Sequence, residues 1–307
     1  MKRHALLGWI ALVLVAACDG GEPAFKVDLS VRETPRVHKH AVGITYAYLP
    51  QYAHTVSYQK HHRLVAYLAQ KTGLPIRQVF PDTFDAHLKM AGQGEVDLSF
   101  TNPYVYVLMA DRYGSAAFAR IVEREGGKRY RGQVICRGDN PQIRSLEDCR
   151  GKRWIAVDPV SGGGYLFPLA LFHRHGFSRS DFAEIAFAPG PGGQQEKVVL
   201  AVYAGKYDIG TIREGTLDVV AARIDRGAIR VLAQTPWYPG WVFCARRGLD
   251  SKIVAAVQKA LVQLDPESPA HRAILEAAQF VGVIGASDHD YDLVREAVQN
   301  VVSTPTP

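Results

Sequence analysis

The chain has 307 residues, of which 47% are hydrophobic, and its formal net charge at pH 7 is +6. Such a composition is typical of a globular protein. The charge excess is mild and fits a small anionic ligand or an acidic partner, and no basic run is interleaved with aromatic residues, so nucleic-acid binding is not expected.

Residues 1–17 have the pattern of an export signal. Lys2 and Arg3 form a short positive start, residues 6–15 are apolar and uncharged, and two alanines follow. The apolar run is too short to span a bilayer, which takes about 20 residues. A buried N-terminal helix is the alternative, but such a helix would carry a polar face, so the pattern favours a cleaved signal peptide.

Residues 15–18, Val-Ala-Ala-Cys, resemble the lipobox of bacterial lipoproteins, in which the cysteine becomes the lipidated first residue of the mature chain. The resemblance predicts lipidation of Cys18, and lipobox cysteines carry more than one acyl chain, which gives a stable anchor. In lipoproteins of this type an aspartate such as Asp19 keeps the protein on the inner membrane. Residues 18–37 are rich in glycine, proline and charge, so we expect a tether on the periplasmic side of that membrane.

The remaining residues, about 265, suit one large domain or two small ones. Apolar strand-like runs alternate with amphipathic helix-like runs, which predicts an α/β fold. In a first unit, strands are predicted at 41–46, 76–80 and 96–100 and helices at 56–72, 83–91 and 104–112. In a second unit, strands are predicted at 154–158, 185–187, 207–212 and 229–234 and helices at 164–175 and 194–204. The last section, 251–264 and 269–278, is predicted to be helical without obvious chemistry.

Two α/β units without a spacer between them predict two lobes that share a cleft. We assign residues 38–137 plus 236–304 to the first lobe and 138–235 to the second. Two similar apolar runs, 132–137 (GQVICR) and 240–246 (GWVFCAR), are predicted to be strands of the hinge region.

A disulfide is one interpretation of the cysteines in these two runs. If the runs pair antiparallel, Cys136 and Cys244 would lie at bonding distance, and Cys149 would remain free. Two separate buried thiols are the alternative. A disulfide is compatible with an exported protein, since oxidising compartments allow such bonds to persist.

The most specific local signal is the segment 158–168, DPVSGGGYLFP. A predicted strand leads in, a predicted helix leads out, and the glycines between them let backbone N–H groups approach a ligand. The helix start adds unpaired donors and the positive end of the helix dipole. It is neither a dinucleotide fingerprint nor a P-loop, because their spacings are absent. The candidates for binding an anion are Ser161, Gly162, Gly163, Gly164 and Tyr165, and a plain flexible turn is the alternative.

Further candidates lie where predicted strands of the first unit end. Ligands of open α/β sheets bind at the carboxyl ends of strands. Thr101 and Asn102 follow one such strand and offer short, orientable donors. Their alternative role is helix capping, which both residue types do well. Thr45 and Tyr46, in the first predicted strand, complete this group of candidates.

The second unit offers three more candidate residues. Gln195 follows a loop rich in glycine and proline, at the start of a predicted helix. Arg213 and Glu214 follow the predicted strand 207–212. An arginine there would give a forked contact to an oxyanion, and a surface pair with the neighbouring glutamate is the alternative.

The order of these motifs resembles the phosphate/phosphite/phosphonate substrate-binding family of ABC transporters, which are type-II periplasmic binding proteins. The resemblance covers about residues 38–300 and rests on the segments 158–168, 96–103 and 196–210. It implies two α/β lobes, two crossings between them and a ligand cleft between the lobes. It also implies a protein that captures a phosphonate-, phosphite- or phosphate-like oxyanion for an inner-membrane ABC permease, and we expect it to act as a monomer.

The candidate site departs from the family pattern at several positions. Ser161 is retained, but Gly162 and Gly163 stand where hydroxyl residues are usual. Gln195 stands where a histidine is frequent, and Thr101 where phosphonate binders often have an aromatic hydroxyl. A site with fewer hydroxyls implies a different anion, a larger ligand in the space left by glycine, or a ligand that is read by a sensor. The second interpretation is therefore a protein that reports its ligand to a membrane sensor kinase.

No catalytic residue, cofactor or metal is expected. A Gly-x-Ser-x-Gly motif is absent, and His173 lies in the helix that follows Ser161, whereas a triad needs a separate base. Histidines at adjacent positions, such as His61 and His62, do not share a helical face, and a metal site would want acidic partners. We expect these histidines to lie on the solvated surface.

Overall fold

A computed structural model of the chain describes residues 43–51, 54–124, 127–190 and 194–302. The predicted signal peptide, Cys18 and the predicted tether lie outside these residues. Within the described part, no helix is long and apolar enough to cross a membrane. The predicted α/β fold is confirmed, since alternating strands and helices build two separate sheets.

The chain begins with β-α units of the first lobe. They comprise β1 (Ile44–Tyr48), α1 (His54–Thr72), β2 (Ile76–Val79), α2 (Phe84–Gly92), β3 (Leu98–Thr101), α3 (Pro103–Tyr113) and β4 (Ala116–Val122). Strand β1 pairs in parallel with both β2 and β3, so the helices return the chain to the same end of the sheet. Helix α3 starts at an Asn102 cap and stops at Gly114, whose φ of 70° suits glycine.

The chain then crosses into the second lobe. The elements are the short strand β5 (Arg129–Tyr130), β6 (Gly132–Arg137), β7 (Arg153–Ala156), a π-helical turn (Gly162–Leu166) that continues into α4 (Phe167–Arg174), β8 (Glu184–Phe187), α5 (Gln194–Tyr203), β9 (Ile209–Arg213), α6 (Thr216–Val219) and β10 (Ile229–Gln234). The five-stranded sheet has the order β10-β6-β9-β7-β8. Short 3₁₀ turns at Glu147–Cys149, Arg179–Asp181 and Arg226–Ala228 complete this lobe.

A second crossing returns the chain to the first lobe. The elements are β11 (Tyr238–Pro239), β12 (Val242–Ala245), α7 (Ser251–Val262), α8 (Pro269–Ala278), β13 (Gly282–Gly285), a 3₁₀ turn (Asp288–Tyr291) and α9 (Asp292–Val302). Strand β12 inserts antiparallel between β3 and β4. The six-stranded sheet therefore has the order β13-β4-β12-β3-β1-β2.

The lobe boundary predicted at residue 137 is wrong by one strand. Strand β6 pairs with β9 and β10, so it belongs to the second sheet, and the second lobe begins at Gly132. The crossing strands are β5 and β11, which pair antiparallel with each other. The runs 132–137 and 240–246 follow these crossings directly. Sequence alone does not distinguish a short apolar strand of a hinge from one of a buried sheet.

The predicted Cys136–Cys244 disulfide is wrong as well. Cys136 lies on β6 of the second sheet, whereas Cys244 lies on β12 of the first sheet. Cys136 is buried in a hydrophobic cluster of the second lobe and Cys244 in the cluster of the first lobe, so the two thiols are not neighbours. Both residues and Cys149 are free and buried, and burial raises the pKa of the Cys149 thiol to about 12.

Aromatic and apolar packing joins the two lobes beside the crossing strands. Phe167 and Ala170 of α4 belong to the hydrophobic cluster of the first lobe. The Phe167 ring stacks on the Tyr238 ring of β11 with a centroid distance of 3.6 Å and an interplanar angle of 9°. Helix α9 packs against α3 of the first lobe and α4 of the second, so the C-terminal helix contacts both lobes.

We expect Cys136, Cys149 and Cys244 all to be alkylated when the mature protein is unfolded without a reducing agent, because each thiol is free. Peptide mass mapping would locate the three adducts. The folded protein should react slowly at the same sites, since burial disfavours the reactive thiolate. A peptide that contains any two of these cysteines in a disulfide would contradict the assignment.

Candidate functional site

A cleft lies between the two lobes, and the crossing segments form part of its lining. Its volume is 680 Å³. The first lobe contributes Tyr48, Gln51, Lys60, Phe100 and residues of α8 and the segment after it, such as Arg272, Leu275 and Gln279. The second lobe contributes Gln195, Glu196 and the stretch from Arg213 to Thr216, and the crossing segments contribute Glu123, Arg124, Tyr130 and Trp241. The last section of the chain therefore does supply cleft residues, which its sequence did not suggest.

A smaller cavity of 10 Å³ adjoins this cleft, and we call it the inner pocket. Residues from both lobes line it. The five that it shares with the cleft are Gln51, Tyr130, Gln195, Arg213 and Trp241. Its other lining residues are Phe84, Asn102, Ser161, Gly162 and Gly163. Six of the residues predicted from sequence as ligand-binding therefore meet at one place.

The glycine segment forms one wall of the inner pocket. Ser161 caps the π-helical turn, and its Oγ accepts the Gly164 N–H at 3.2 Å. The helix start leaves further N–H groups without intrahelical acceptors. A Cβ atom on Gly162 would lie 2.4 Å from the Tyr130 hydroxyl oxygen. A Cβ atom on Gly163 would lie 3.1 Å from Arg213 Cβ. The space left by these glycines is therefore filled by protein side chains, and the expectation that a larger ligand would use it is wrong.

Asn102 caps helix α3, which is the alternative role that its sequence position left open, and it also contacts the second lobe. Its Oδ1 accepts the N–H groups of Tyr104 and Val105 at 2.9 and 3.0 Å, which caps α3. Its Nδ2 donates to the Val160 carbonyl of the second lobe at 3.4 Å. The side chain is 3% exposed and thus bridges the lobes at the edge of the inner pocket.

Arg213 is the cation at the inner pocket. Its backbone N–H donates to Gln195 Oε1 at 2.9 Å, and its Nη2 pairs with Glu123 Oε2 at 2.5 Å. Both side chains of this ion pair are largely buried. The guanidinium also lies 5.7 Å from the Tyr130 ring and 6.0 Å from the Trp241 ring. Arg213 is therefore fixed by contacts to β5 and to the segments beside β4 and β12.

Glu214 lines the cleft but does not pair with its neighbour. Its Oε1 accepts two hydrogen bonds from the Arg131 guanidinium, from Nε at 2.9 Å and from Nη2 at 2.6 Å. The alternative of an Arg213–Glu214 surface pair is therefore wrong, because Glu214 pairs with Arg131 and Arg213 pairs with Glu123. Glu214 instead braces Arg131, next to the first crossing.

Lys60 is a cleft residue that the sequence did not single out. It lies on α1, and its Nζ donates to Gln279 Oε1 after α8. Burial and, to a smaller extent, the nearby Arg213 lower the pKa of Lys60 to about 8, with Glu196 partly offsetting both effects. The cleft thus holds cations from both lobes.

Two predicted residues of the first strand lie behind the site. The Thr45 hydroxyl donates to the Glu95 carbonyl at 2.8 Å, so it ties β1 to the chain before β3. The Tyr46 hydroxyl is 2.7 Å from His61 Nδ1, and the Tyr46 side chain is buried. Neither residue lines the cleft or the inner pocket.

Three further predicted residues lie outside the two cavities. Thr101 is buried at the end of β3, directly before Asn102. Gly164 packs against Val157, and its carbonyl accepts the Thr211 hydroxyl at 2.6 Å. Tyr165 packs into the core of the second lobe, 5.5 Å from the Trp154 ring. These residues support the wall of the pocket from behind.

The histidines do not all follow the surface expectation. His61 is fully buried and stacks on the Tyr48 ring at 4.4 Å. Burial lowers its pKa to about 3, so the ring is neutral. In the described part of the chain, no group of three or more histidine, cysteine, aspartate and glutamate side chains is arranged to hold a metal ion.

Comparison with known proteins identifies the family. The sequence model of the family described as "ABC transporter, phosphonate, periplasmic substrate-binding protein" matches residues 46–291. The chain belongs to this family. It is therefore a substrate-binding protein of a phosphonate or phosphate ABC transporter, which confirms the resemblance seen in the sequence.

Individual relatives agree with this family assignment. The phosphate-import protein PhnD of Mycolicibacterium smegmatis is 26% identical over 302 residues, which covers 92% of this chain and 91% of that protein. A binding protein component of an ABC phosphonate transporter from Pseudomonas aeruginosa has a TM-score of 0.74 at 17% identity, covering 86% of this chain and 89% of the other. PhnD1 from Prochlorococcus marinus, solved with methylphosphonate, has a TM-score of 0.73 at 15% identity, covering 84% and 98%. The two structures support the two-lobed fold of this family member.

The wall of the inner pocket tolerates no side chain at Gly164. A Cβ atom there would lie 2.4 Å from Val157 Cγ2 and 2.6 Å from Val157 Cβ. Since overpacking a core costs about 1–3 kcal/mol, we expect Gly164→Ala to lower the free energy of unfolding by that amount in urea denaturation. The matched control is Gly282→Ala, where the nearest contact is Val122 Cβ at 4.0 Å. Equal losses in the two variants would contradict the packing argument.

Proposed function

We propose that the protein captures a small phosphorus oxyanion, such as a phosphonate, phosphite or phosphate, at the inner pocket and the adjoining part of the cleft, and delivers it to an ABC permease. The observation that carries the proposal is the convergence of hydrogen-bond donors from both lobes on this pocket. The N-terminal turn at Gly162 and Gly163, the Asn102 amide and the Arg213 guanidinium all line it. No covalent chemistry is required.

The proposed binding of the anion relies on electrostatic attraction and on directional hydrogen bonds. A helix N-terminus offers unpaired N–H groups and the positive end of the helix dipole, which favour an anion. Arg213 adds a full charge, although its pairing with Glu123 means that the anion and that carboxylate share it. The Ser161 oxygen accepts the Gly164 N–H, so its own proton is available to donate to the ligand.

Binding between two lobes accounts for the proposed delivery. A ligand that contacts both lobes stabilises the closed arrangement in proportion to its preference for that form. Gln195 fits this role, because its Oε1 is used by Arg213 and its Nε2 remains to face the pocket that it lines. Glu214, at the cleft, and the residues behind the pocket (Thr45, Tyr46, Thr101, Gly164 and Tyr165) are proposed to act by positioning these groups.

The proposed location is the periplasmic side of the inner membrane, with a lipid anchor at Cys18. The support is the signal-like start of the chain, the Val-Ala-Ala-Cys segment and the family of periplasmic proteins to which the chain belongs. Signalling to a membrane sensor kinase stays an alternative prediction. Loss of methylphosphonate or phosphate uptake on deletion of the gene would favour transport, and unchanged uptake would favour sensing.

We expect Ser161→Ala to weaken oxyanion binding. A hydrogen bond to a charged group is worth about 1.5–3 kcal/mol, so the dissociation constant should rise by about ten- to a hundredfold. Isothermal titration with phosphate, phosphite and methylphosphonate measures the change. Thermal unfolding of the same samples reports any loss of the helix cap.

The matched control is Ser178→Ala. Ser178 also caps a short helix of the second lobe, but it lines neither cavity, so oxyanion affinity should stay at the level of the unaltered protein. If both variants bind equally well, the Ser161 hydroxyl does not contact the ligand. If the unaltered protein binds none of the three anions, the proposed function itself is wrong.

We expect Cys18→Ser to release the protein from the membrane or leave it unprocessed, because the thiol accepts the lipid. Membrane fractionation and the intact mass of the mature chain measure this outcome. The control is Cys149→Ser, a buried thiol of the second lobe that should leave membrane retention unchanged. Unchanged retention and mass in Cys18→Ser would contradict the lipid anchor.

A further inference from the structure

Tyr130, on crossing strand β5, carries a buried hydroxyl that the protein itself does not use. The residue is 4% exposed, and its hydroxyl oxygen has no hydrogen-bond partner of normal geometry among the described residues. Burial raises the pKa of Tyr130, and the nearby Arg213 and the Gly163 N–H only partly offset this effect. The phenol therefore stays protonated, and its proton lacks an acceptor.

Trp241, beside the second crossing strand, is in the same situation. Its side chain is 3% exposed, and its indole Nε1 has no partner among the described residues. An indole N–H only donates. A buried donor without an acceptor destabilises the folded protein, so two of them around one cavity need an explanation.

The two unused donors share one location. Tyr130 and Trp241 both line the inner pocket and the adjoining cleft. The Arg213 guanidinium lies within 6.0 Å of both rings, so the local charge favours an anion. The close approach of Gly162 brings the start of the helix to the Tyr130 hydroxyl. Donors of three kinds thus surround the same small space.

We propose that the Tyr130 hydroxyl and the Trp241 indole N–H are ligand-binding groups that donate hydrogen bonds to the oxyanion. This inference rests on the proposed function and adds two specificity-determining residues to it. An oxyanion of phosphorus presents several acceptor oxygens to such donors. It satisfies both orphan groups at once, which neither a cation nor an apolar ligand does.

Their position on the crossing segments gives these donors a distinct role. When two lobes close about crossing strands, groups on those strands move less than groups on either lobe. Tyr130 and Trp241 therefore hold the oxyanion in place while the donors of the lobes, at Asn102 and Gly163, close on it. The crossing segments thus bind the ligand and also form the hinge.

The test is calorimetric titration of Tyr130→Phe and Trp241→Phe with whichever of inorganic phosphate, phosphite and methylphosphonate the unaltered protein binds. Each variant removes one donor and keeps an aromatic ring. We expect each dissociation constant to rise about tenfold or more, since each loses a hydrogen bond to a charged group. Melting temperature without ligand should change little or rise, because an unsatisfied buried group is removed.

The matched control is Tyr238→Phe. Tyr238 lies on the other crossing strand, opposite Tyr130, but lines neither the cleft nor the inner pocket. Removing the Tyr238 hydroxyl should leave oxyanion affinity unchanged. Unaltered affinity in Tyr130→Phe and Trp241→Phe, while the parent protein binds, would overturn this inference and leave the proposed function standing.

A double substitution tests the same assignment through an expected gain of oxyanion affinity. Gly162→Ser alone would force its Cβ atom to within 2.4 Å of the Tyr130 hydroxyl oxygen, so binding should fall. Combining Gly162→Ser with Tyr130→Phe removes that clash and supplies a hydroxyl from the loop. We expect the double variant to bind more tightly than either single variant. A double variant no better than the weaker single variant would overturn the assignment of Tyr130.

Discussion

The close approach of the glycine turn at Gly162–Leu166 to the crossing strand constrains the geometry of the site. A Cβ atom on Gly162 would lie 2.4 Å from the hydroxyl oxygen of Tyr130 on the crossing strand β5. The turn is held as closely on two other sides, since a Cβ atom on Gly132 of β6 would lie 2.4 Å from the Gly163 carbonyl oxygen and one on Gly164 would lie 2.4 Å from Val157 Cγ2. Backbone packed at this distance brings the start of α4 into the cleft. It also places the Tyr130 ring and the Arg213 side chain against Gly163. The pocket is therefore shaped by the absence of side chains.

The α/β character and most of the elements could be predicted because their signals are local. Strand β10 and helix α8 have the predicted bounds, since periodic apolar residues lie between clear turn or proline signals. Strands β4 and β13 and helix α9 were missed. Strand β4 contains three alanines and an arginine, and β13 contains two glycines, which weakens the apolar alternation that indicates a strand. Their pairing depends on partners distant in sequence.

The site was predictable where one segment carries the signal, as at residues 158–168. It was not predictable where two lobes supply the chemistry together. Glu123 and Arg213 form a buried ion pair across 90 residues of sequence, and nothing near either residue indicates the other. Trp241 was noticed only as part of an apolar run, because an unpaired indole N–H is a property of packing. The disulfide prediction was wrong for the same reason, since the sequences of two similar runs do not indicate which sheet each strand joins.

Helix α9 has a mechanical consequence for affinity. It packs on α3 of one lobe and α4 of the other, and Val294 and Ala297 are buried in a cluster that also contains Phe167. Widening of the cleft would have to separate this helix from one of its two neighbours, so the apolar contacts of α9 would oppose opening. The free energy of those contacts would then contribute to the affinity for a ligand that binds between the lobes. Evolution can therefore retune how tightly the protein holds its ligand from the far side of the molecule, without altering a single group that the ligand touches.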